Sequence, residues 1–170
     1  IYLVDRVIPM LPHKLSNGIC SLNPHVDRFC NFMFYGNYPQ GEVIDHDIVE
    51  SVINSTERMT YNNVNKILAG DKKLQEEYSH VCDLFFLMKE LAEILQKTRE
   101  DRGAIDFDTN EAKVLVDEKG KPIDVVLRQR GESDRIIESF MLVANETVAK
   151  HFKMAWFTIY LSCSWNPKVE

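Results

Sequence analysis

Between Ser79 and Gly103, the apolar residues Val81, Leu84, Phe85, Met88, Leu91, Ala92 and Leu95 recur at intervals of three and four. That spacing puts them on one face of a long α-helix. Ser79 stands where an N-cap is expected. Lys97, Arg99 and Arg102 fall in the last turns, where cations suit the helix dipole, and Gly103 can close the end. A second long helix is read after Ser133, its expected cap. Its buried face should be Ile137, Phe140, Met141, Ala144, Val148 and Phe152.

The remaining elements are shorter. "VDRFCNFMF" and "GEVIDHDIVESVIN" read as two strands around a turn near Tyr35–Gly41. Thr60 can cap a short helix that Gly70 ends. "AKVLVDEKGKPIDVVLR" reads as a hairpin with Gly120 in its turn. "WFTIYLSC" is expected to be a last strand. The class is α+β (mixed α/β), with strands and hairpins packed on two long helices in one domain or part of one.

The opening stretch, "YLVDRVIPMLPHKLSNGICSLNP", has neither period. Three prolines and an Asn-Gly pair break it into short extended pieces. Val7, Ile8, Met10, Leu11, Leu15, Ile19 and Leu22 make it apolar enough that burial is expected, as a stiff, irregular wall.

Composition narrows the function classes. The chain has 170 residues, enough for one domain with a core. No apolar run approaches the roughly 20 residues of a membrane span, and no secretory signal is read, so no membrane partner is expected. Cys20, Cys30, Cys82 and Cys163 form no paired motif, which suits reduced thiols in the cytoplasm rather than zinc. Without an initiator Met, Ile1 reads as an internal residue of something longer. A net charge of −6 argues against a nonspecific nucleic-acid coat, though not against a local basic groove.

Motifs that carry chemistry by themselves are few. There is no Gly-rich phosphate loop, HExxH or GxSxG. His13, His25, His46, His80 and His151 are scattered, and lone histidines are usually surface or structural residues. The acidic pairs Asp45/Asp47, Glu76/Glu77 and Asp106/Asp108 can in principle meet Mg²⁺. For Glu76/Glu77 a solvated helix end is the simpler reading, and for Asp106/Asp108 a solvent-facing strand entry.

The ordered combination says more. "YLVDRVIPMLPHKLSNGICSLNP", "STERMTYNNVNKIL", "RGAIDFDTNEAKVLVDEKGKPIDVV" and "IIESFMLVANETVAKHF" follow one another. Together they closely resemble the catalytic (RNB) domain of the bacterial ribonuclease R / ribonuclease II family, over roughly residues 1–30, 41–130 and 131–152. The resemblance implies a processive, metal-dependent 3′-to-5′ exoribonuclease that degrades single-stranded RNA to nucleoside 5′-monophosphates. It implies cold-shock and S1 domains in the same full-length chain. It also implies Mg²⁺ held by an aspartate cluster upstream of Ile1, so residues 1–170 are expected to be a partial domain without catalytic residues or metal ligands. The family's late arginine and glutamate would lie beyond Glu170.

Carried over by position, the resemblance gives Tyr2 and Phe107 the clamping of the last bases. It gives Tyr61 and Glu138 the recognition of ribose. Read without it, Tyr2 and Phe107 are equally core aromatics, Tyr61 a surface cover, and Glu138 an acid favoured near a helix start. "FCNFMFYGNYPQ" and "IYLSCSW" depart from the family's pattern. The alternative function is a noncatalytic RNA-binding or scaffold domain that keeps the fold.

Overall fold

The computed structural model describes residues 3, 6–37, 41–105, 111–117, 120–128 and 130–154. Tyr2, Phe107, the pair Asp106/Asp108 and the expected strand at "WFTIYLSC" lie outside the described residues.

Two antiparallel hairpins accompany the helices. Strand β1 (Asp27–Asn37) pairs with β2 (Val43–Asn54), with Cys30 opposite Ser51 and Tyr35 opposite His46. The ladder starts at Asp27↔Asn54, where the Asn54 side-chain amide donates to Asp27 Oδ1 at 2.7 Å. It ends in a bulge at Gly36/Asn37. The buried Gly41 follows with φ +84, a conformation that an L side chain rarely adopts. Further along, β3 (Glu111–Val116) pairs with β4 (Pro122–Arg128). Gly120 takes φ +78 in the connection, as expected from the sequence, and Asp117 Oδ1 accepts from the Lys121 N–H at 2.8 Å.

Helix α1 (Tyr61–Leu68) begins as read: Thr60 Oγ1 accepts from the Asn63 N–H at 3.2 Å, and Gly70 follows the end at φ +95. Helix α2 (Lys72–Glu77) is capped by Asp71, whose Oδ1 accepts from the N–H groups of Lys73 and Leu74. Glu76 and Glu77 are both exposed at its end.

Helix α3 (Ser79–Asp101) runs as expected, but Ser79 is not its cap. Tyr78 holds that position without a side-chain bond, because α2 passes into α3 with no linker long enough for a separate cap. Leu84, read as buried, is exposed. Gly103 does follow the end, at φ +92.

Helix α4 (Glu132–Met154) departs more from its pattern. Its buried line is Ser133, Ile136, Ser139, Val143 and Thr147, while Ile137, Met141 and Val148 are exposed. The helix is rotated because small polar residues face inward and satisfy themselves locally. Thr147 Oγ1 donates to the Val143 C=O at 2.8 Å. Small side chains let a neighbouring helix approach closely, and a satisfied hydroxyl makes burial inexpensive.

Ser133 is likewise inside the first turn, not the cap. Gly131 N–H donates to Asp134 Oδ2 at 3.0 Å, a reach-back like that of a capping box. Ser133 N–H donates to Asn65 Oδ1 at 2.9 Å, so α1 caps α4 from outside.

The core lies where α1, α2 and α3 meet. Ile67 is 0% exposed, beside Val64 and Phe85, with Met59, Leu74, Val81 and Met88 packed around them. Along α3 and α4, Ala92, Leu95, Ile136 and Val143 are also buried.

The expectation of a buried opening segment is overturned. Val7, Ile8, Leu11, Leu15, Ile19 and Leu22 are exposed, and Met10 is 91% exposed. The described residues simply do not cover it. Its stiffness is real: Lys14–Ile19 forms a π-helical turn closed by Cys20 N–H donating to the Leu15 C=O at 2.9 Å. Among the described residues, no helix is long and apolar enough to cross a membrane.

Candidate nucleic-acid interface

Tyr61 is the first residue of α1, and its position is fixed twice. The Thr60 cap sets the helix start, and Ser133 Oγ donates to the Tyr61 C=O at 3.2 Å. The ring is thus presented from a rigid junction of α1 and α4 while the residue stays 48% exposed. It lines a cavity of about 450 Å³ with Arg58, Met59, Thr60, Met88, Ser133 and Ile137. That volume lies within the range of small-ligand sites. An aromatic ring, a thioether and an arginine around an apolar floor suit the face of a base and the charge beside it.

Glu138 lies elsewhere on α4. It lines a smaller cavity, about 120 Å³, with Gln96, Arg99, Ile105 and Arg135. Its side chain is 46% exposed, and Oε2 is 3.9 Å from Arg130 Nη1. At that separation the pair is a loose surface contact, so the carboxylate keeps capacity to accept from a hydroxyl. Tyr61 and Glu138 therefore line separate cavities on one helix–helix layer. Ile105, two residues before Phe107 in the sequence, lines the cavity of Glu138.

A third cavity, about 570 Å³, lies between the β1–β2 turn and the ends of α3 and α4. Arg102 crosses it to Glu146 with two bonds, Nη1–Oε2 at 3.1 Å and Nη2–Oε1 at 3.3 Å. Arg99 lines both this cavity and that of Glu138, and its buried Nε has no hydrogen-bond partner. Sequence reasoning saw Arg99 and Arg102 only as dipole partners. Their i,i+3 spacing on the same helix was the available signal.

Nor are all the histidines solitary. His80 Nε2 is 3.2 Å from Glu57 Oε1, and His46 meets His151. Among the described residues, no group of three or more His, Cys, Asp or Glu side chains could hold a metal ion. Asp45 Oδ1 is turned to the His46 N–H at 2.9 Å. The described residues do not make a cradle for the divalent metal that the resemblance implies.

The RNB domain matches residues 1–165, nearly the whole chain. The chain belongs to the RNB domain family. It is 53% identical over 170 residues to Ribonuclease R 1 of Lactococcus lactis, covering 100% of this chain and 21% of that protein. It is 46% identical over 156 residues to Ribonuclease R of Thermotoga maritima, covering 91% of this chain and 22% of that one. Among solved structures, Mycoplasma genitalium RNase R in complex with ribose methylated single-stranded RNA matches with a TM-score of 0.76 at 30% identity. That match covers 88% of this chain and 23% of the solved one. This RNB chain thus spans about a fifth of the length of these curated relatives, and its α+β arrangement is that of the RNase R structures.

Proposed function

We propose that these residues form part of the catalytic domain of a processive 3′-to-5′ exoribonuclease in the cytoplasm. It would take single-stranded RNA to nucleoside 5′-monophosphates. The observation that carries the reading is the RNB match across residues 1–165, joined to a fold shared with an RNase R seen in complex with single-stranded RNA. A divalent metal such as Mg²⁺, held by residues outside this chain, would supply a polarised phosphate and an activated water. Cold-shock and S1 domains in the full-length chain would guide the strand inward.

Within that scheme this chain supplies walls and handles. Tyr2 and Phe107 stack on the last bases, a contact that ignores base identity and so suits an enzyme for any sequence. Tyr61 holds a sugar from its rigid junction, and Glu138 accepts the proton of a 2′-hydroxyl, the group that separates RNA from DNA. The separate cavities of Tyr61 and Glu138 then serve neighbouring parts of the strand rather than a single sugar.

The test uses the full-length parent enzyme and matched RNA and DNA strands. A hydrogen bond to a charged group contributes about 1.5–3 kcal/mol, so Glu138→Ala should lower the preference for RNA about 10- to 150-fold. Tyr61→Ala should weaken binding of both strands. A Glu138→Ala enzyme with undiminished RNA preference would show the residue to be only a charge near a helix start. Residues 1–170 alone, given RNA and Mg²⁺, should release no mononucleotides.

A further inference from the structure

Two histidines separated by 105 residues in the sequence meet where β2 passes the end of α4. His46 Nε2 and His151 Nδ1 are 2.9 Å apart. Their rings cross edge-on, with centroids 5.1 Å apart and planes at 79°. His46 is held in the β1–β2 ladder opposite Tyr35. His151 stands near the end of α4, its ring against Phe152 at 5.3 Å. Both residues are half-buried.

We propose that this pair is a two-nitrogen chelate for a first-row transition-metal ion of tetragonal preference, the Ni²⁺ and Cu²⁺ class. In the present contact one ring nitrogen donates its proton and the other accepts. A metal ion between them takes a lone pair from each, and each ring then keeps its single proton on the outer nitrogen.

The spacing selects the ion. Metal–imidazole bonds of about 2.0–2.1 Å at a right angle set two nitrogens about 2.9 Å apart. A tetrahedral angle at the same bond length needs about 3.3 Å. The observed 2.9 Å matches the first without backbone movement; only the rings must turn to aim both lone pairs at one point. Imidazole nitrogen suits Ni²⁺, Cu²⁺ and Zn²⁺, whereas Mg²⁺ takes oxygen ligands.

The surroundings set the character of the site. The Asp45 carboxylate lies beside the first ligand, accepting from the His46 N–H. Lys150 and Lys153 flank His151 in sequence and oppose a cation. No third His, Cys, Asp or Glu side chain completes a larger group among the described residues. Water fills the other positions, so the site is open and exchangeable rather than a closed structural centre. Its consequence is mechanical: the bound ion ties the hairpin to α4, elements contributed by distant parts of the chain.

The experiment uses the full-length protein in excess Mg²⁺, which occupies oxygen-lined sites. Equilibrium dialysis with Ni²⁺ should show one more bound ion for wild type than for His46→Gln or His151→Gln, because one imidazole is not a chelate. Zn²⁺ should bind the same site more weakly. In wild type, hydrogen exchange around His46 and around His151 should slow together as Ni²⁺ rises. At 100 times the dissociation constant, opening that separates the rings should fall about 100-fold. Equal Ni²⁺ binding by folded variants and wild type would overturn the proposal. So would wild-type exchange that saturating Ni²⁺ leaves unchanged in both segments, a result that stands even if a variant does not fold.

Discussion

Asn65→Ala tests the joint that holds Tyr61 in place. Asn65 Oδ1 accepts from the Ser133 N–H at 2.9 Å, and Ser133 is buried at the start of α4. Gly131 leaves room for the Asn65 amide; a Cβ there would collide with it. Removing the acceptor leaves a helix N-terminal N–H without its partner, in a place that water reaches poorly. An unsatisfied buried donor costs about 1–3 kcal/mol, and loss of an ordinary helix cap about 1 kcal/mol. Two neighbouring bonds survive, from Ser133 Oγ to the Tyr61 C=O and from Gly131 N–H to Asp134. We therefore expect about 1.5 kcal/mol, which corresponds to roughly tenfold more opening of the first turn of α4. Hydrogen exchange read by mass spectrometry over residues 131–138 measures it, with α3 as an internal reference. Asn65→Asp keeps the acceptor and places a negative charge at a helix N-terminus, worth about 0.3–1 kcal/mol, so it should restore protection. If Asn65→Ala exchanges like wild type, or Asn65→Asp is no better than Ala, the cap does not hold the joint.

Other expectations are more local. Gly41→Ala puts a Cβ at φ +84 and 2.7 Å from Thr98 Oγ1, which is itself bonded to the Ile94 C=O. We expect a loss of about 2–5 kcal/mol, seen as faster proteolytic nicking of the β1–β2 turn. Ile67→Ala empties the centre of the core and should cost about 2–5 kcal/mol in denaturant unfolding. Burial raises the pKa of the half-buried Tyr35 hydroxyl. Its stabilising contribution is thus complete below the ordinary value of about 10 and is lost as pH rises above it. A Tyr35→Phe variant should lose less stability in that alkaline window than wild type.

What the sequence made legible was local chemistry. Thr60, Gly70, Gly103 and Gly120 each stand where their residue type answers one backbone need. The face of α4 was misread because hydrophobicity is not the same as burial. Ser133, Ser139 and Thr147 go inside by being small and satisfied, while Ile137 and Met141 remain outside. The Asn65–Ser133 cap and the His46–His151 contact join residues 68 and 105 positions apart. No short-range period carries such information. For the site, the sequence and the family resemblance together pointed to Tyr61 and Glu138. Only the fold shows them lining different cavities, with Arg99 between two of the three.

Each hairpin is a ribbon of two strands, with no third strand beside it among the described residues. Phe29, on β1, is 92% exposed, and Ile123, Val125 and Leu127 project from alternate positions of β4. A ribbon edge with such side chains is a template for another strand. Separated from whatever normally covers it, this chain should be sticky, and increasingly so with concentration. A protease that cut it loose from a longer parent would create a ready substrate for chaperones and degradation, not an inert remnant. The open edges thus couple the integrity of the surrounding protein to its own clearance.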